Sequence, residues 1–153
     1  MILDEVFNKY ADKVPPAPAP GGVYKPLIIV GKMVYVSGHG PNLPDGSQHT
    51  GKVGSEVDEA FGKEAAFQTG LTMLATLKAE FGSLTKVKRV VKLLGMVNAD
   101  PDFENHPKII NGCSELFEEV WGYKNGLGSR SAVGFGSLPG RISVEIEGQF
   151  EIH

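Results

Sequence analysis

The chain has 153 residues and a net charge of −3, which predicts one soluble domain with a sizeable core. The acidic balance weighs against tight binding of nucleic acid, and no segment is apolar over the roughly 20 residues that a membrane span needs. The single cysteine, Cys113, excludes an intrachain disulfide. No cationic region followed by an apolar run stands at the N-terminus, so we expect a cytoplasmic protein without a signal peptide.

The N-terminal residues predict an appendage to a single domain that spans residues 1–153. Residues 1–13 favour a short amphipathic helix, because Ile2, Val6 and Tyr10 share one face. Residues 14–20 read Val-Pro-Pro-Ala-Pro-Ala-Pro, which predicts an extended linker to a core of residues 21–152.

A β-hairpin is the first predicted element of that core. Residues 24–30 and 33–37 are two runs of β-branched and large apolar residues, and Gly31-Lys32 between them suits a two-residue turn. Residues 40–54 are rich in glycine and proline. They predict a mobile or partly ordered loop with a short strand around residues 50–53.

Two long helices with a strand between them come next. The first is predicted to begin at Ser55, where Asp58 approximates a capping box, and to end at Gly82. The second is predicted to begin near Pro107 and to end at Gly122. Residues 88–97 form a strand whose nearly continuous apolar centre is typical of burial on both faces or of a subunit contact.

The last segment predicts two further strands. Residues 142–152 alternate apolar and polar side chains, which gives one buried face and one polar face that carries Glu145 and Glu147. A shorter strand, residues 131–136, ends at the Leu138-Pro139-Gly140 turn. We expect the two strands to be antiparallel neighbours, so that Arg130 lies near the two glutamates. The element order predicts an α+β fold, in which two long helices cover one face of a single mixed sheet.

Arg130, Glu145 and Glu147 are the first candidates for chemistry. The guanidinium fork of an arginine matches a carboxylate with two hydrogen bonds, although an exposed structural arginine has the same sequence appearance. One of the glutamates can serve as a general base that activates water. The alternative is a solvated strand face, which the continuing polar series to Glu151 also fits.

Other side chains give weaker signals. Tyr24 can stack on a small unsaturated ligand or pack in the core, and Asn111 and Ser131 can bind a ligand or stay structural. Ser37 and His39 stand close enough in sequence for a nucleophile and its base, but no acid is placed to orient the histidine.

Metal and thiol chemistry find no support in the sequence. His39, His49 and His106 lack the spacing of metal ligands, so no metal site is predicted. Cys113 lies on an apolar helical stripe and is expected to be an inert core thiol.

Several motifs taken together resemble the reactive-intermediate deaminase family, RidA or YjgF, over about residues 20–152. The motifs are Val34-Tyr-Val-Ser-Gly38, the segment Gly82 to Lys92, Arg130-Ser-Ala-Val-Gly134, Ser137-Leu-Pro139 and Val144-Glu-Ile-Glu147. The N-terminal helix and the segment His106–Leu116 resemble a less characterised subgroup of that family.

The resemblance implies a chorismate-mutase-like subunit that forms a homotrimer, with three ligand clefts between neighbouring subunits. It implies hydrolysis of 2-imino acids to 2-keto acids and ammonia without a cofactor. The implied roles are substrate-carboxylate binding for Arg130, water positioning for Glu145, and substrate binding for Tyr24, Ser37, His39, Asn111, Ser131 and Ala132. His39 departs from the family pattern, which commonly has glutamine after the Ser-Gly pair.

Two other functions stay open at this point. One is a trimer that binds a small carboxylate such as a keto acid without turning it over, with His39 marking the loss of catalysis. The other is RNA cleavage, which is sometimes attached to the family by name, and the acidic charge weighs against it.

Overall fold

A computed structural model describes residues 3–153, so Met1 and Ile2, including the expected contribution of Ile2 to a helix face, lie outside the described residues. One five-stranded mixed sheet has the strand order β1-β2-β5-β3-β4. The strands are β1 (Leu27–Val30), β2 (Met33–His39), β3 (Val87–Asn98), β4 (Ser129–Phe135) and β5 (Val144–Ile152). The helices are α1 (Glu5–Lys9), α2 (Glu59–Phe81) and α3 (His106–Gly126).

Helices α2 and α3 pack against each other and cover one face of the sheet, which confirms the predicted α+β architecture. The core lies between these layers. Leu93 and Phe150 from the sheet and Leu71 and Phe117 from the helices are all 3% exposed or less. Burying a side chain of this size contributes about 1.5–3 kcal/mol. None of the helices in residues 3–153 covers the other face of the sheet, which we call the open face.

Glycines in the sequence predicted several turns and helix ends correctly. Val30 pairs with Met33 across Gly31-Lys32, and Gly31 has φ 62°, which confirms the hairpin turn. Gly82 ends α2 in the left-handed conformation, with φ 77°. Gly122 interrupts α3 with φ 79°, at the point where the sequence predicted its end.

The start of α2 differs from the prediction. Ser55 is not in the helix: the N-cap is Asp58, whose carboxylate accepts a hydrogen bond from the Phe61 N–H at 2.8 Å. Residues 52–57 are instead held in a tight turn, in which the Val57 N–H donates to the Lys52 carbonyl. Both residues are good capping types, so the competing turn decides between them.

The N-terminal helix is also shorter than the expected residues 1–13. Helix α1 covers Glu5–Lys9 and is followed by turns to Lys13, and residues 14–20 have no regular secondary structure. Val6 is buried, while the Asp4 carboxylate accepts from the Leu84 N–H at 3.0 Å. None of the helices in residues 3–153 is long and apolar enough to cross a membrane.

The expected pairing of the last two strands is wrong. Strand β3 lies between β4 and β5: it pairs in parallel with β4, where Leu93 stands opposite Arg130, and antiparallel with β5, where Met96 stands opposite Glu145. The long apolar β3 can pair along both edges, and α3 supplies the crossover that a parallel pair requires. Arg130 and Glu145 are therefore separated by a full strand.

The loop of residues 40–54 is tied to the sheet by backbone hydrogen bonds. The Gly51 N–H donates to the Arg141 carbonyl, the Ser143 N–H donates to the His49 carbonyl, and Val53 bridges to Ala99. The strand expected around residues 50–53 is reduced to isolated bridges. The loop therefore lies across the approach to β5.

Candidate functional site

A cavity of about 290 Å³ lies at the end of β2, where the Pro-rich segment, the loop after β2 and the start of β5 meet. We call it the Glu145 cavity, after the one acidic side chain in its lining. Tyr24, Gly38 and Gln48 line it as well.

A larger cleft of about 840 Å³ lies at the start of α2. Its lining includes Asp58, Glu59, Asp102 and Glu104 and no basic side chain. An acidic cleft of this kind repels a substrate carboxylate, so the smaller Glu145 cavity is the better candidate for the chemistry that the sequence predicts.

Glu145 is placed by the alternation of β5, which turns its neighbours Val144 and Ile146 into the core. A side chain on Gly38 would put its Cβ 2.5 Å from Glu145 Oε2, so the carboxylate occupies the space that this glycine leaves free. Burial, and then the charge of Glu147, raise the pKa of Glu145. No salt bridge or hydrogen bond within residues 3–153 engages this carboxylate. It is therefore a more basic group than an exposed glutamate and is available to water.

Tyr24 and Ser37 lie beside Glu145 but are partly committed to the backbone. The Tyr24 hydroxyl accepts from the Gly21 N–H at 3.1 Å, and its half-exposed ring lines the cavity. The Ser37 hydroxyl donates to the Lys25 carbonyl at 2.7 Å. These contacts hold residues 24–26 against the end of β2. The aromatic ring of Tyr24 then forms a wall of the cavity.

His39 also belongs to the lining of the Glu145 cavity, but its ring nitrogens are bonded within the protein. It is 5% exposed: Nδ1 donates to the Ser37 carbonyl at 2.6 Å, and Nε2 accepts from the Thr76 hydroxyl at 2.8 Å. Burial lowers the pKa of His39, which favours the neutral ring that this bonding pattern requires. The ring joins β2 to α2, and both of its nitrogens are used within the protein.

Arg130 lies on β4 at the far edge of the sheet. It shares a face with its partner Leu93, which packs under the helices, and its guanidinium donates to Ser114 Oγ at 3.0 Å and to the Pro107 carbonyl at 3.2 Å. Asn111 lies between these two positions on the same side of α3. We call this group, with Ala132 two residues further along β4, the Arg130 edge.

The predicted site residues thus fall into two groups that one chain does not bring together. Tyr24, Ser37, His39 and Glu145 lie at the β2–β5 end, while Asn111, Arg130 and Ala132 belong to the Arg130 edge. Ser131 faces the open side, opposite Leu94.

Sequence reasoning missed Ser114 and Gln48. Ser114 lies three residues after Asn111, so helical spacing could have predicted that the two side chains share one side of α3. Gln48 sits in a loop without periodicity, so no local signal marked it.

The helix side of the Arg130 edge also contains Cys113. Its side chain is fully buried, and burial raises the pKa of the thiol above its usual range. This is the environment of a structural thiol. Among residues 3–153 there is no group of three or more histidine, cysteine or acidic side chains that could hold a metal ion.

The chain is similar to known proteins over most of its length. The family model described as "YjgF/chorismate_mutase-like, putative endoribonuclease" matches residues 10–139. Protein TCP17 of Trypanosoma cruzi is 35% identical over 92% of this chain and 88% of its own length. A 2-iminobutanoate/2-iminopropanoate deaminase of Dermatophagoides farinae is 31% identical over 87% of this chain and 88% of its own length.

A solved structure adds agreement in three dimensions. Atu1372, a protein of unknown function from Agrobacterium tumefaciens, superposes with a TM-score of 0.82 at 41% identity. The match covers 88% of this chain and 85% of that chain.

Proposed function

Because the chain belongs to the YjgF/RidA family, we propose that it hydrolyses reactive 2-imino acids to 2-keto acids and ammonia. The family match and the deaminase relative at 31% identity support this reaction class. The observation that carries the proposal is Glu145: a half-buried carboxylate with a raised pKa and no ion-pair partner among residues 3–153, in a cavity of the size of a small metabolite.

Glu145 acts as the general base. It accepts a proton from a water molecule, whose oxygen forms a bond to the imine carbon. As this bond forms, the π electrons of the C=N bond move to the nitrogen, which takes a proton from solvent and becomes an amino group. Glu145 returns its proton to that amino group, and ammonia leaves when the C–N bond breaks. The hydroxyl of the adduct loses its proton to the Glu145 carboxylate as the C=O bond of the keto acid forms. A positioned general base contributes about 10²–10⁴ in rate, which is sufficient for an imine because its carbon is already electrophilic.

Arg130 binds the substrate carboxylate from a neighbouring subunit. Two of its N–H groups are directed at α3, which leaves further donors of the guanidinium fork for an anion. The arginine stands on the edge strand β4, and the Glu145 cavity lies toward the opposite edge. Contact between the β4 side of one subunit and the β2 side of the next brings the two groups together, and repetition of that contact closes a ring.

The open face supports the same assembly, for which we propose a homotrimer. Tyr35, Val133 and Phe135 are between 38% and 42% exposed there, and Leu94 and Met96 are partly exposed beside them. A strand face with this much exposed apolar surface is typical of a surface covered by another chain.

The test is hydrolysis of imines generated in situ by an amino-acid oxidase. Semicarbazide traps the imine that remains, so hydrolysis is measured as a fall in the rate of semicarbazone formation. Wild-type protein should clear the imine faster than buffer, and Glu145→Gln should lose about 10²–10⁴ of the rate. Arg130→Ala should abolish saturable turnover while sedimentation still shows a trimer. Arg89→Ala, an arginine on β3 outside both groups, is the matched control and should keep wild-type activity.

Three results would contradict the proposal. Wild-type protein that is no faster than buffer removes the catalytic function, and saturable binding of a 2-keto acid without turnover would favour a carboxylate-binding trimer. Sedimentation as a monomer would remove the shared site.

A further inference from the structure

We propose that the Glu145 cavity selects 2-imino acids whose side chain carries an uncharged hydrogen-bonding group, a carboxamide or a hydroxyl, and that Gln48 and Asn42 recognise it. The inference rests on the proposed function, because it places the reacting carbon at Glu145. The end of the cavity beyond Gly38, where Gln48 and Asn42 lie, has no role in the proposed hydrolysis.

Two glycines at the end of β2 each make room for a polar side chain. A Cβ on Gly38 would meet Glu145, and a Cβ on Gly40 would lie 3.0 Å from Gln48 Nε2 and 3.7 Å from Asn42 Oδ1. Both amides belong to the cavity lining, and Gln48 Nε2 donates to Asn42 Oδ1 at 2.6 Å. The cavity therefore continues from the carboxylate to a pair of amides.

The distance between the two ends fits a short side chain. A chain rises at most about 3.6 Å per residue, so the positions beside Gly38 and Gly40 are no more than about 7 Å apart. Tyr24 lines the cavity on the side of Ser37, because the Ser37 N–H donates to the carbonyl of Pro26, two residues after Tyr24. With the reacting carbon at Glu145, a polar group two or three bonds further along comes within hydrogen-bond reach of Gln48.

Among residues 3–153, Glu145 is the only charged side chain that lines the cavity. The Arg141 guanidinium is paired with Glu56 at 2.6 Å, and Lys52 Nζ is bonded to Asn98 Oδ1 and to the Ala99 and Gly136 carbonyls. Gln48 keeps a second N–H and its carbonyl oxygen, which lies 3.8 Å from a Cβ built on Gly140. An alkyl side chain would displace water from these groups and leave them unpaired, whereas a carboxamide or hydroxyl pairs with them.

The experiment compares imines of asparagine and leucine, whose side chains have nearly the same shape. Their kcat/KM values are measured on the full-length protein, with both imines generated in situ. We expect wild type to favour the asparagine imine, and Gln48→Leu to lower the asparagine-to-leucine ratio about tenfold, the effect of one neutral hydrogen bond. Asn8→Ala removes an exposed amide on α1, outside the cavity, and should leave the ratio unchanged.

Binding of stable keto acids separates this inference from the proposed function. Calorimetry with 4-hydroxy-2-ketobutanoate and its alkyl counterpart 2-ketopentanoate needs no turnover. If no imine is hydrolysed, the proposed function fails, but tighter binding of the hydroxy acid that Gln48→Leu abolishes still supports polar selection. Equal affinities, or a wild-type preference for the alkyl compounds in either assay, would overturn it.

Discussion

The Glu145 cavity and the Arg130 edge hold their functional groups by different means. Glu145 lies where Gly38 leaves space, and within the described part of the chain its carboxylate has no hydrogen-bond or ion-pair partner. Burial raises its pKa. Arg130 is held by two hydrogen bonds to α3, through Ser114 and the Pro107 carbonyl. A carboxylate without hydrogen-bond partners accepts a proton more readily, whereas a cation held in a fixed orientation binds an anion more tightly. The two environments therefore match the two roles proposed for them.

Gly38→Ala should cause a large loss of activity, because it displaces Glu145 within its cavity. The new Cβ would lie 2.5 Å from Glu145 Oε2, so the carboxylate must move. A displacement of about 1 Å costs on the order of 10²-fold in catalysis, and we expect that loss in kcat for imine hydrolysis. Gly136→Ala is the control, because nothing lies within 4 Å of its Cβ position. Full activity in Gly38→Ala would show that the position of Glu145 does not matter.

At the Arg130 edge, Ser114→Ala tests whether fixing the guanidinium matters. The variant removes one of the two contacts that orient Arg130. We expect KM for the imino acid to rise about fivefold, which corresponds to roughly 1 kcal/mol, with kcat nearly unchanged. Ser137→Ala removes an exposed hydroxyl outside both groups and serves as the control. A fall in kcat with constant KM would contradict a role in carboxylate binding.

The smallest expected effect is a shift in the pH profile of Glu147→Gln. Glu145 must be deprotonated to accept a proton, so activity rises as the pH increases through its pKa. The charge of Glu147 helps to raise that pKa, after burial. Its removal should move the acidic limb of the kcat/KM profile to lower pH, by less than about one unit. An unchanged limb would mean that another group controls it, and Glu151→Gln is the matched control.

Local sequence signals predicted the elements and much of their environment. The alternation in β5 assigned Glu145 to the polar face, and the glycines at 31 and 82 marked a turn and a helix end, because these features depend on neighbouring residues alone. The start of α2 was misplaced because Ser55 and Asp58 are both good caps. The inward turn of His39 could not be read from its neighbours, since its partner Thr76 is far away in sequence.

The amino-acid sequence determined which residues form strands and helices, which face of each is apolar, and which family motifs are present. Tertiary structure decided that β3 lies between β4 and β5, that Arg130 faces α3, and that Gln48 reaches the Glu145 cavity. The reason is that strand neighbours and loop contacts are chosen by pairing and packing between distant segments, and the periodicity of a single segment carries no information about its partner.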